Sequence, residues 1–165
     1  MAQISNSTLL HTEGIQQVKD ALVVLVKTEW NALIVNELEN GCLNLLHQYG
    51  IRTKTIVVPG AVEIPFAIQH YQQIVKKKEK ADAFVALGCV VRGDTPHFEY
   101  VCQSVTQGIT QLNVTMDVPS IFGVLTVNTQ SQAEERIGGI HGHKGEEAGI
   151  TAMKMILLSR LFKRS

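Results

Sequence analysis

The chain has 165 residues, with 15 Lys+Arg against 15 Asp+Glu and so no formal net charge, a length that fits one domain burying about 70% of its unfolded surface. Charged residues make up only 18% against 45% hydrophobic, below the usual ~25% charged; this excludes intrinsic disorder and a strongly basic nucleic-acid binder, and points to a surface that partly faces other subunits. No stretch approaches the roughly 18 consecutive apolar residues of a membrane span, and residues 1–13 lack the basic start and apolar core of a secretion signal, so the expected setting is the cytoplasm, with no membrane and no nucleic acid among the partners.

In chain order, residues 1–13 stand outside any regular pattern and read as a tail, or as an arm that adds a strand to a neighbour; the domain is expected over 14–165. A short apolar run at 21–26 predicts the first strand. A helix over 32–49 follows, with Leu33, Ile34, Leu38, Cys42, Leu45 and Leu46 on one side and Gly50 as its terminator. The run at 51–58 begins with polar residues and predicts a strand nearer an edge. A second helix is expected over 64–79, ending in the solvated series Lys76, Lys77, Lys78.

A nearly continuous apolar strand at 83–91 leads to a helix from 96–97 to about 112. A fourth strand is expected at 121–127, then a short helix over 133–136, a glycine-rich stretch over 138–145 and a long helix over 146–162. Continuous apolar strands alternating with helices predict a three-layer α/β/α domain. Its four-stranded sheet would be mainly parallel, with right-handed crossovers.

In such sheets ligands bind beyond the carboxyl ends of the strands. Four segments fall there: 28–31, 59–63, 89–97 and 127–129. In Arg92-Gly93-Asp94-Thr95-Pro96-His97 a strand ends, Gly93 permits an unusual backbone conformation, and Pro96 favours a helix start. The N–H groups of a helix start suit a phosphate or other oxyanion. A histidine beside them can move protons, or it is simply a surface side chain in a turn. Trp30, the only tryptophan, is either a platform for an aromatic ring or a core or interface anchor. Glu63 falls in the first turn of a helix, where the helix dipole alone would account for a carboxylate.

The stretch Gly138-Gly139-Ile140-His141-Gly142-His143-Lys144-Gly145 has neither the G-x-x-x-x-G-K-[ST] nor the G-x-G-x-x-G spacing. With Arg136 it suits a mobile phosphate clamp or a basic surface loop. His141 and His143 lack neighbouring ligands at metal-binding spacings. Cys42, Cys89 and Cys102, odd in number and without C-x-x-C pairing, read as reduced thiols.

Four segments together resemble the lumazine synthase family. They are Pro59-Gly60-Ala61-Val62-Glu63-Ile64-Pro65, Leu87-Gly88-Cys89 running through Val101, Pro119-Ser120-Ile121-Phe122-Gly123-Val124-Leu125-Thr126, and Glu135-Arg136 followed by Lys144-Gly145. The resemblance covers nearly everything from about residue 14 onward. It implies a flavodoxin-like fold and the condensation of 5-amino-6-ribitylamino-uracil with 3,4-dihydroxy-2-butanone 4-phosphate, two small-molecule substrates, with no metal or organic cofactor.

Position by position, the resemblance implies that Trp30 stacks on the pyrimidine. Ala61, Val62 and Glu63 bind the ribityl chain, and Cys89, Val90 and Val91 offer backbone contacts to the pyrimidine ring. Asp94 and Thr95 form the phosphate-binding turn, and His97 transfers protons. Phe122, Arg136 and Lys144 come from the adjacent subunit, the last two near the phosphate. It further implies a pentamer with sites between subunits. Some members pack pentamers into a 60-subunit shell, and the uninterrupted 138–145 turn with no Pro before Pro59 points that way. Riboflavin synthase is the protein partner it brings into view. The alternative of another class is a non-catalytic flavin- or lumazine-binding, or shell-forming, protein of the same fold.

Overall fold

The apolar run after Ala21 becomes β1 (Leu22–Thr28), buried at every position except Lys27. Side chains alternate across a strand, and here both faces are covered. Val23 and Leu25 join one apolar layer, whereas Leu22, Val24 and Val26 join the other. A computed structural model describes residues 8–163, except for the side chains of Gln16 and Gln17; the expected tail or arm therefore lies, at residues 1–7, outside the described residues. Leu9 packs against the first layer, and Lys154 donates to its carbonyl at 2.6 Å.

The remaining main-sheet strands are β2 (Arg52–Val58), β3 (Ala83–Val91) and β4 (Ser120–Val127). The order is β2-β1-β3-β4 and every pairing is parallel. β2, with its polar start, is an edge, as its composition predicts. Helices α1 (Ala32–Gln48) and α5 (Lys144–Phe162) bury Ile34, Leu38, Cys42, Met153 and Ile156 on one face. Helices α2 (Ile64–Ile74) and α3 (His97–Thr115) bury Ile64, Ile68, Val105 and Ile109 on the other. This is the expected flavodoxin-like α/β/α sandwich. Since all four strands run the same way, their carboxyl ends share one rim of the sheet.

α1 stops where predicted. Gly50 sits at φ 70°, its N–H reaches the His47 carbonyl at 3.0 Å, and the Ile51 N–H reaches Leu46 at 3.1 Å, the paired bonds of a Schellman ending. Four expectations need correction. α2 ends at Ile74, because Val75 is extended and a separate 3-10 turn covers Lys77–Glu79. The reversal is held by Tyr71, whose hydroxyl donates to the Glu79 carbonyl at 2.9 Å, and by Lys80, which donates back to the Gln72 and Gln73 carbonyls.

The short helix α4 spans Gln130–Glu134, three residues early, since the Thr129 hydroxyl accepts the Gln132 N–H at 3.3 Å and caps it there. The glycine-rich stretch is no open loop but an antiparallel ribbon, β5 (Ile137–Gly139) with β6 (Gly142–His143), and α5 starts at Lys144 directly behind it. Leu33 is 80% exposed and not on the buried side of α1. Among the described residues no helix is long and apolar enough to cross a membrane.

Candidate active site at the carboxyl rim of the sheet

Beyond β1 the chain turns sharply into α1. Thr28 is buried and its hydroxyl donates to the Trp30 carbonyl at 3.2 Å. Asn31 takes the left-handed conformation (φ 57°, ψ 42°), which asparagine tolerates better than most residues. Its Nδ2 donates to the Cys89 carbonyl at 2.7 Å, tying the β1 turn to β3. Trp30 is thereby held out from the core, 73% exposed. The core-anchor reading of this tryptophan is excluded.

Beyond β2, Gly60 leads into a 3-10 turn at Ala61–Glu63, which runs straight into α2. A β-carbon placed on Gly60 would lie 3.0 Å from Glu63 Oε2 and 3.6 Å from Trp30 Cδ1. The indole and the carboxylate therefore converge on the bare backbone at Gly60. Ala61 is buried, while Val62 and Glu63 face solvent.

β3 outruns β1. Its register with β1 ends at Lys27↔Leu87, whereas its register with β4 continues to Val91↔Val127. From Gly88 onward β3 therefore has a strand partner on one side only. Asn31 takes the Cys89 carbonyl, and the backbone of Val90 and Val91 lies beyond the β1 ladder. The Cys89 thiol itself is buried, and burial pushes it up to about 11; Cys42 is pushed up to about 12, by burial first and by the charge of Glu39 second. Both thiols stay protonated near neutral pH, as reduced, unreactive cysteines do.

Arg92 organises the turn that leaves β3. Its Nε donates to Asn128 Oδ1 at 2.9 Å, its Nη1 pairs with Glu99 Oε1, and its guanidinium lies 4.3 Å over the Phe98 ring. The hydrogen bond from Arg92 holds the Glu99 carboxyl below its usual range. One side chain thus joins the ends of β3 and β4 to the first turn of α3. Asp94, Thr95 and His97 are all exposed on the intervening turn and helix start. Pro96 sits in the cap position just before the helix. Gly93 departs from expectation: it is absent from the residues with positive φ, and an added β-carbon would meet nothing within 4 Å. Open space above the turn, not backbone freedom, distinguishes this position.

Phe122, Arg136 and Lys144 lie elsewhere. Phe122 pairs with Ala86 in mid-sheet, five residues before Val127, about 16 Å below the rim at ~3.3 Å per residue. It is partly exposed and, with Thr126, Lys144, Glu147 and Met155, lines an open cleft of about 760 Å³ along the free edge of β4. Lys144 is buried and its Nζ donates to both Glu147 oxygens, at 2.6 and 2.9 Å. Its N–H also donates to the Arg136 carbonyl at 2.8 Å. The Arg136 guanidinium donates to the Gln132 carbonyl at 2.6 Å and lies 3.8 Å from Glu135. One chain therefore brings Trp30, Ala61–Glu63, the end of β3, and Asp94 to His97 to one rim, and leaves the other three residues on the β4 flank.

Sequence reasoning gave no role to Asn31 or to the Arg92 side chain. The available signals were an asparagine between a strand and a helix, and an arginine seven residues before Glu99. The two histidines of the glycine-rich stretch also have partners. His141 Nε2 is 3.7 Å from Glu135 Oε2, and the His143 Nδ1 accepts the Gly145 N–H at 3.2 Å.

Comparison with known proteins gives the family. Residues 20–160 match the family model described as 6,7-dimethyl-8-ribityllumazine synthase. A protein of that name from Porphyromonas gingivalis is 49% identical over 146 residues, 87% of this chain and 88% of its own length. One from Parabacteroides distasonis is 49% identical over 138 residues, 82% and 84% of the two chains, and one from Bacteroides fragilis is 45% identical over 135 residues, 80% and 92%. With the family model spanning the whole sheet and every rim segment, and with relatives matched over most of their length, the chain belongs to the 6,7-dimethyl-8-ribityllumazine synthase family.

Proposed function

We propose that the chain condenses 5-amino-6-ribitylamino-uracil with 3,4-dihydroxy-2-butanone 4-phosphate at the carboxyl rim of the β2-β1-β3-β4 sheet. The products are 6,7-dimethyl-8-ribityllumazine, phosphate and water, in the penultimate step of riboflavin biosynthesis. Family membership supports the reaction. The observation that carries the site is the convergence of Trp30 and Glu63 on Gly60. A flat ring stacked on the indole would direct its polyhydroxyl chain along Ala61 and Val62 toward the Glu63 carboxylate, and its ring edge toward the backbone at Cys89, Val90 and Val91.

Chemically, the substrate amine attacks the ketone, and the carbinolamine loses water to give an imine. Phosphate is eliminated, and ring closure releases a second water. His97 carries protons between nitrogen and the departing oxygens. Asp94, Thr95 and the N–H groups at the start of α3 receive the phosphate. Orientation of two substrates in one pocket supplies much of the remaining acceleration.

Phe122, Arg136 and Lys144 complete the pocket from a neighbouring subunit. The reading is supported by the distance of Phe122 from the rim and by the placing of exposed apolar side chains. Val57, Phe66 and Ile74 are exposed on β2 and α2, and Phe122, Leu158 and Phe162 on β4 and α5. Two unlike patches on opposite flanks suit head-to-tail contact, which gives a ring when the rotation between copies closes. We assign a pentamer, built further into a 60-subunit shell, in the cytoplasm; riboflavin synthase, which uses the product, is its protein partner. Sedimentation tests the assembly: the shell is expected as a particle many times the mass of a pentamer, and a pentamer-sized species in every buffer would rule it out.

The reaction is tested by mixing purified protein with both substrates and following lumazine absorbance and fluorescence, with product expected only when both are present. Arg136→Ala is expected to raise the KM for the butanone phosphate about tenfold or more, the worth of a charged hydrogen bond, with little change for the pyrimidine. Equal losses for both substrates would remove Arg136 from the phosphate end.

A further inference from the structure

We infer that His143 is a positioning residue for the phosphate end of the site, its imidazole setting Arg136 and Lys144 at a fixed separation. The inference rests on the proposed role of those two residues and adds to them a side chain that need not touch substrate. Arg136 immediately precedes β5 and Lys144 immediately follows β6. The ribbon returns the chain so that the Lys144 N–H donates to the Arg136 carbonyl at 2.8 Å. The two residues are thus joined at the open end of the ribbon, where β6 runs into α5, and His143, paired with Ile137 across the ribbon, occupies that junction.

The imidazole makes two kinds of contact there. Its Nδ1 accepts the Gly145 N–H at 3.2 Å and caps the first turn of α5. Its ring also fills a notch in α1: a β-carbon on Gly41 would lie 2.1 Å from Cε1 and 2.6 Å from each ring nitrogen. On the ribbon side, a β-carbon on Gly138 would lie 3.8 Å from Cδ2. The ring thus seats the ribbon and the start of α5 together on α1, at positions where the chain carries no side chains of its own. Serine or threonine could cap a helix there but could not fill the notch, and leucine could fill the notch but could not cap.

The test separates these contributions. His143→Leu keeps volume without the acceptor, and His143→Asn keeps an acceptor. Gly41→Ala leaves the histidine in place and expels its ring from the notch. All are assayed beside Arg136→Ala with both substrates varied. His143→Leu and Gly41→Ala are expected to raise the KM for the butanone phosphate about fivefold, the equivalent of a lost helix cap, with the pyrimidine KM unchanged. His143→Asn, which can cap but leaves much of the notch empty, is expected to recover part of that loss. If both variants melt at lower temperature yet keep the parent KM for the butanone phosphate, while Arg136→Ala raises it, His143 is merely structural and the inference is overturned. If Arg136→Ala itself leaves that KM unchanged, the phosphate clamp fails and the inference fails with it. Should His143→Leu not fold, Gly41→Ala decides alone, since alanine favours the helix it enters.

Discussion

Replacing His97 by alanine is expected to lower turnover by roughly 10²–10⁴-fold, the usual worth of a positioned proton carrier, while the dissociation constant for the pyrimidine moves much less. The asymmetry comes from where the side chain stands. His97 is exposed at the first position of α3 and supports no part of the core. Its neighbours are held independently of it: Pro96 sets the entry to the helix, Phe98 lies under the Arg92 guanidinium, and Glu99 is paired with the same arginine. Removing the imidazole should leave the turn at Asp94 and Thr95 where it is. The pyrimidine contacts assigned to Trp30, Glu63 and the end of β3 should also survive, because Asn31 and Gly60 fix them from other strands. Steady-state kinetics and equilibrium titration of the pyrimidine on the same sample separate the two effects. Turnover equal to the parent would remove His97 from the mechanism, and equal losses in binding and turnover would make it a binding residue.

That rim was largely legible from the chain alone, for a local reason. Parallel strands covered on both faces must be nearly continuous apolar runs, so the segments 28–31, 59–63, 89–97 and 127–129 can be read from short windows of sequence, although the expected first strand, 21–26, stops two residues short of the end of β1 at Thr28. The features that escaped such a reading depend on contacts between distant residues. α2 ends early because Lys80 and Tyr71 reach across the turn. α5 begins early because His143 caps it and rests against Gly41, far off in the chain. Leu33 follows the helical period of its neighbours, yet it lies at the start of α1, next to Trp30 and Asn31 outside the sheet, and faces solvent. Arg136 and Lys144 could be grouped as a phosphate clamp from the glycine-rich stretch itself, but adding Phe122 and assigning all three to a second copy of the chain came from family resemblance, since contacts between copies leave no periodicity to read.

Gly145→Ala is expected to be strongly damaging, costing about 3 kcal/mol or more of stability. A β-carbon at this position would lie 2.0 Å from the Leu38 carbonyl oxygen, 2.8 Å from its carbon and 3.0 Å from its Cα. All three are backbone atoms of α1, so no rotamer change can relieve the contact. α1 cannot retreat easily either, because Leu38 is fully buried and Val35 and Cys42 pack in the same layer. The clash must be met by moving the start of α5, which carries the buried Lys144 and its pairing with Glu147.

Gly149, one turn further along the same interface, supplies the control. Its added carbon would lie 3.0 Å from Leu45 Cδ2, the end of a side chain that can rotate, and 3.5 Å from the Cys42 carbonyl. Alanine also gains roughly 1 kcal/mol over glycine inside a helix, so Gly149→Ala should remain within about 1 kcal/mol of the parent. Denaturant unfolding of the two variants is expected to separate them by about 2 kcal/mol or more. Equal midpoints would mean that α1 and α5 do not approach through their glycines, and the close seating of the start of α5 against Leu38 would have to be abandoned with it.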